Sequence, residues 1–202
     1  MIKKLFLLKI LIFQIIFISS QKHQIKWVKE DYTKYNHNTF KKIDQIYDTI
    51  NPENINYKLL NAAIFYLTNK QRVKYKRKPF IYSASLEKAA QEHSQDMVKY
   101  NFYSHTSKVK GKKTMTNRLN LVGISNAYMA ENINNFPTLN PTYFNVAKGL
   151  VDGWMNSKGH KANILNKEYV YLGCGTFYYY DSKWPNYFNL KSTQNFSSKM
   201  GE

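Results

Sequence analysis

Few groups in this 202-residue sequence can ligate a metal or move a proton: five histidines, thirteen acidic residues and one cysteine. No HExxH, paired CxxC, GxSxG or phosphate-cradling glycine loop is present, which removes several common enzyme classes. His105, Glu131 and His160 remain, each predicted at the end of a structural element. Two neutral imidazoles and a carboxylate make a sound zinc ligand set. An acid beside a histidine also suits general acid–base chemistry. Spacing alone does not bring the three together. His23 and His37 fall in a polar N-terminal stretch, and His93 recurs with apolar neighbours at helical spacing, as a hydrogen-bonded structural histidine does. The single cysteine, Cys174, permits no intramolecular disulfide; in the apolar run "YVYLGCGTF" it reads as a buried, inert thiol.

The elements that must position these residues follow from periodicity. Leu59, Leu60, Ala63, Ile64 and Leu67 form the stripe of a first helix that Lys78-Pro79 has broken. The serines of "YSAS" cap a second, with Leu86, Ala89, Ala90, His93, Met97 and Tyr100 on one face. His105 then lies in a loop, a short helical piece covers Thr116 to Leu121, and "AYMAENIN" reads as a strand carrying Glu131. The clearest helix is expected to enter with Asn140 as cap and Pro141 in its first turn. Its stripe is Tyr143, Val146, Ala147, Leu150, Val151, Trp154 and Met155, and Ser157-Lys158-Gly159 is expected to end it through a left-handed glycine. His160 opens a following turn. "EYVYLGCGTFYYY" and "WPNYFNLKSTQNF" read as antiparallel partners around a turn at Asp181 to Pro185. Helices followed by strands covered on both faces predict an α+β, three-layer α-β-α sandwich.

Residues 1–20 read as a secretory signal peptide: Lys3 and Lys4 precede an apolar run that Lys9 interrupts and that falls short of the ~20 residues needed to span a bilayer. No stable membrane insertion after cleavage and an extracellular location are therefore expected. Residues 21–56 read as a polar extension with one weak helical pattern, Phe40, Ile43, Ile46, Tyr47 and Ile50. The formal charge is +17, densest in "KQRVKYKRK" from Lys70 to Lys78. Such a balance attracts acidic glycans or anionic lipid surfaces. Secretion argues against nucleic acid as a partner. "NFS" at Asn195 is the N-glycosylation sequon.

Five stretches carry a resemblance: "LTNKQRVKYKRKPF", "LEKAAQEHSQDMVKYNFYSH", "AENI", "VDGWMNSKGHKANIL" and "YLGCGTF…STQNF". In this order they resemble the CAP superfamily, the SCP/TAPS domain of cysteine-rich secretory proteins, antigen 5 and plant pathogenesis-related 1 proteins. The similarity covers residues 57–196, leaving 197–202 as a tail. It implies a central antiparallel sheet between helical layers and a cleft where His105, Glu131 and His160 hold a divalent metal such as zinc, with Asn132 and Ser157 beside them as ligand-binding residues. Many members carry a second glutamate near the position of Ser157; without it the site is more open and water-bearing. The resemblance thus implies a secreted, non-enzymatic module binding a lipid or sterol, a glycan or a protein partner. The alternative is a zinc-dependent hydrolase or protease using the same cleft.

Overall fold

The computed structural model describes residues 25–201. The predicted signal peptide and His23 lie outside them. The mixed α+β architecture is that expected, a four-stranded sheet between helical layers. After a single helical turn α1 (Asp31–Lys34) come α2 (Tyr57–Lys74), β1 (Ile81–Tyr82), α3 (Ala84–Lys99) and α4 (Met115–Asn120). They are followed by β2 (Met129–Thr138), α5 (Tyr143–Asn156), α6 (Lys158–Leu165), β3 (Tyr171–Tyr179) and β4 (Phe188–Ser197). Strand order is β1-β3-β4-β2; β4 is antiparallel to both neighbours and the two-residue β1 runs parallel to β3.

Two glycines set the spacing of one layer. A Cβ on Gly173 would stand 2.0 Å from the backbone nitrogen of Glu87, and one on Gly175 would stand 2.1 Å from that of Gln91. Helix α3 therefore rests directly on β3, closer than any side chain permits. Ser83 fixes where α3 begins: it accepts from the Leu86 amide, a cap worth about 1 kcal/mol. The opposite faces of β3 and β2 are covered by α2 and α5. Leu59 through Asn69 are all buried, so α2 is enclosed on every side rather than along a single stripe.

The segment read as a polar extension explains that enclosure. Trp27, Phe40, Ile43, Ile46 and Ile50 are buried within the main core. Trp27 stacks on Tyr35 and meets Tyr66 edge-on, while Tyr32 donates to the buried carboxylate of Glu87 at 3.1 Å. The predicted single helix is instead two 3-10 turns, Phe40–Lys42 and Asp44–Tyr47, broken by an extended Ile43. Fixing these apolar groups against α2 overrides the weak 3.6-residue pattern.

Two predicted helix ends also move. Thr142, rather than Asn140, caps α5 by accepting from the Asn145 amide, and Pro141 lies outside the helix, where its carbonyl accepts from Ile50. The end of α5 is not a glycine turn. Ser157 is extended and serves both as the last cap of α5 and the first of α6, so Gly159 and His160 fall inside a new helix.

Candidate functional site

Helix α3 ends with Asn101 in the left-handed region, φ +48°, while the Phe102 amide reaches back to the Met97 carbonyl. This closure sends the chain into the loop that carries His105. Three polar ties hold that loop. Lys112 pairs with Glu92 and Asp96 of α3, the Ser107 amide donates to the Lys113 carbonyl at 2.8 Å, and Arg118 of α4 donates to the carbonyls of both His105 and Lys112.

Arg118 also determines the state of Glu131. Its Nη2 reaches both carboxylate oxygens, at 2.8 and 2.7 Å, with both side chains buried. Glu131 Oε1 further pairs with His105 Nδ1 at 2.8 Å. In the amide orientation that satisfies both groups, Asn195 donates to Oε2 at 3.2 Å and accepts from the Ala90 amide. Burial alone would raise the Glu131 carboxyl; the His105 hydrogen bond and the nearby positive charges outweigh it and hold the group below its ordinary range.

The ionised, fully engaged Glu131 accepts from His105 Nδ1–H, which leaves Nε2 directed away from the carboxylate. The His105 side chain is 54% exposed. His160 is half-buried on α6, with its basicity lowered by burial and by His105 nearby. Its backbone is set from the other face of the same strand. Asn132, next to Glu131 and therefore pointing oppositely, is fully buried; it donates to the His160 carbonyl and to Gln194, and accepts from Asn163 at 2.9 Å. β2 is an edge strand; the His105 ring is held from one of its faces and the His160 backbone from the other.

These contacts redistribute the predicted roles. His160 lies near enough to His105 for the two rings to interact electrostatically. Glu131 is an orienting group, its oxygens committed to Arg118, His105 and Asn195; among the described residues no three His, Cys, Asp or Glu side chains form a metal cluster. The three-residue set His105, Glu131 and His160 is therefore not assembled as a ligand cluster. Asn132 is a structural tether rather than a ligand-binding residue. Ser157 makes the α5–α6 joint without a side-chain capping bond. Asn195 is fully buried in the central strand, where a glycan has no room. His93 donates from Nε2 to the Ser104 carbonyl, and burial lowers its pKa to about 4.

Arg118 was not singled out from the sequence. One signal was present: it falls three residues after Met115 and just before Leu119, at the border of the apolar stripe of α4. The basic run also contains structural arginines. Arg72 is buried over the Phe80 ring and donates to the carbonyls of Ile164 and Asn166, satisfying the end of α6. A separate cavity of about 680 Å3 lies between the N-terminal segment and α2, with Tyr32, Tyr35, Phe65, Phe80 and Tyr82 in its walls.

With the geometry established, comparison with known proteins places it. The model of the family described as "CAP: Cysteine-rich secretory protein family" matches residues 65–190. The uncharacterized protein YkwD of Bacillus subtilis is 35% identical over 115 residues, covering 54% of this chain and 39% of that protein. The uncharacterized membrane protein YlbC of the same organism is 33% identical over 111 residues, covering 54% and 29%. The chain thus spans well under half the length of these curated relatives. A crystal structure of an extracellular protein containing a SCP domain from Bacillus anthracis aligns with a TM-score of 0.57 and 28% identity, over 71% of this chain and 41% of that one. An outer surface protein from Borrelia burgdorferi shares the fold, with a TM-score of 0.53 and 16% identity over 72% of this chain and 95% of that one.

Proposed function

The chain belongs to the cysteine-rich secretory protein family, CAP, and we propose that it is an extracellular, non-enzymatic binding module whose cleft takes a divalent cation such as zinc on His105 and His160. The observation that carries this reading is the Arg118–Glu131–His105 chain of contacts. It orients the His105 ring with Nδ1 on the carboxylate and Nε2 outward, which is how a carboxylate behind a metal-binding histidine acts. Two protein ligands leave positions open for water or for a donor atom of a bound partner. The extracellular setting is supported by the SCP-domain neighbour, described as extracellular.

The hydrolase alternative needs Glu131 free to take a proton from water. Both its oxygens are instead engaged by Arg118, His105 and Asn195, which argues for binding over turnover. The test is zinc titration followed by calorimetry on the folded protein. Stoichiometric binding should disappear in His105→Ala and in His160→Ala. It should weaken about 10–100-fold in Glu131→Gln, the size of effect expected for an orienting group. If wild-type protein retains no stoichiometric zinc, or if Glu131→Gln abolishes binding as completely as the histidine variants, the two-imidazole reading fails.

The lipid class of ligand has its own supporting observation in the 680 Å3 cavity, whose aromatic walls come from the N-terminal segment, α2 and β1. Its size lies within the ~300–1,000 Å3 of small-molecule sites. Displacement of a fluorescent fatty acid by unlabelled fatty acid or sterol checks it, and no saturable uptake by the wild-type protein rejects it.

A further inference from the structure

The β3–β4 connection bears a concentration of exposed aromatic surface that the cleft does not use. Trp184 is 61% exposed and Tyr180 65% exposed. Beside them lies an open cavity of about 350 Å3 lined by Asn135, Pro137, Tyr179, Asp181, Trp184, Tyr187 and Asn189. A solvent-facing indole costs hydrophobic free energy unless something covers it.

The platform is built rather than loose. The Trp184 amide donates to the Asp181 carbonyl at 3.0 Å and the Tyr187 amide to the Trp184 carbonyl at 3.0 Å, so two consecutive turns fix the loop. Tyr187 stands edge-on against the indole, ring centroids 6.0 Å apart at 85°. Tyr179 donates to the Asn135 side-chain oxygen at 2.8 Å, which orients that amide and leaves its NH2 available. Asp181 spends one carboxylate oxygen on the Lys183 amide and keeps the other. Flat apolar faces thus sit beside a fixed amide donor, a carboxylate acceptor and the indole N–H.

We propose that this pocket is a glycan subsite for a neutral hexose or N-acetylhexosamine oligomer. One face of a pyranose ring is made of C–H groups and stacks on an aromatic plane, while its equatorial hydroxyls need planar amide and carboxylate partners at the rim. The pocket supplies both. A lipid surface would have to desolvate Asn135 and Asp181 without replacing their hydrogen bonds. A phosphate or sulfate group would face the Asp181 carboxylate. The volume lies at the small end of the ~300–1,000 Å3 range for small-molecule sites, suited to a short stretch of sugar units rather than a folded partner.

The sequence contains three tryptophans, and Trp27 and Trp154 are 4% and 0% exposed. Iodide-quenchable emission therefore reports on Trp184 alone. Chitotetraose, cellotetraose and laminaritetraose are titrated into the folded protein, with calorimetry in parallel. The expected result is saturable binding of at least one of them, shielding Trp184 from iodide and insensitive to salt. Affinity should fall by at least about tenfold in Trp184→Ala and in Asn135→Ala. Trp184→Phe should retain part of it, and His105→Ala should leave it unchanged, which separates this pocket from the histidine cleft. Absence of saturable binding to all three sugars overturns the proposal, as does binding that survives Trp184→Ala. Binding only to a heparin oligosaccharide, lost at high salt, also overturns it and assigns recognition to the basic surface. Thermal melts of both variants confirm that the fold is intact, since the two side chains are exposed.

Discussion

Replacing Arg118 by methionine tests the electrostatic logic of the site. The side chain is 2% exposed and makes two contacts with Glu131 and two with backbone carbonyls. Removing one partner of a buried ion pair leaves an uncompensated charge, at a cost of about 3–5 kcal/mol. The exposed His105 loop can recover its carbonyl bonds from water, so those add little. For a domain of this size the loss corresponds to a fall in Tm on the order of 10 °C. Removing both charges in Arg118→Met/Glu131→Leu should be milder than the single change, because the cost lies in the stranded carboxylate and not in lost attraction. The single variant should also regain stability as pH falls and Glu131 protonates, whereas the wild type should lose stability on the same descent. In the wild type the folded carboxyl lies below its unfolded value, so its contribution is present above the unfolded value and disappears as pH drops through the folded one. Chemical denaturation of the three proteins at neutral pH and near pH 4 measures all of this. Equal destabilisation of the single and double variants would falsify the stranded-charge argument.

Two further outcomes follow from the packing. Gly175→Ala should destabilise by about 1–3 kcal/mol or more, because its Cβ would meet the backbone of α3 at 2.1 Å and the helix must move; a denaturation midpoint within error of wild type would contradict the direct helix-on-strand contact. His93, fully buried with a pKa lowered from 6.5 to about 4, stays neutral in the folded protein and charges first in the unfolded one. Its contribution, about 3 kcal/mol, is complete above pH 6.5 and is lost as pH falls from there to about 4. His93→Gln keeps an N–H donor and should flatten the stability profile across that window; an unchanged slope would assign the acid sensitivity elsewhere.

Short-range patterns carried much of the architecture. Helical spacing through Leu59 to Leu67 and Tyr143 to Met155, the Ser83 cap and the alternating runs before Tyr179 and Ser197 each depend on neighbours within a turn or a strand, so they are visible in the chain itself. His105 and His160 could be put forward as candidates for a related reason, since both lie close to recognisable motifs. What the chain could not reveal was which partner each polar group would meet. Arg118 and Glu131 are thirteen residues apart and touch only because the His105 loop folds α4 back over β2. The same uncertainty hid the burial of Asn195, which follows from β4 lying between two strands, and the role of Asn132, which depends on α6 reaching the opposite face of β2.

The N-terminal segment shows the division most clearly. Its composition is polar, nothing local distinguishes Trp27 from a surface aromatic, and the pattern that includes Phe40 is weak. Only the tertiary fold, by presenting Tyr66 and the rest of α2, turns them into core. Periodicity along one chain encodes which side of an element is apolar, and that much the sequence determined. Which apolar sides face one another, and whether a buried carboxylate becomes a ligand or an orienting group, is settled by contacts between residues far apart in sequence, and these exist only once the layers have closed.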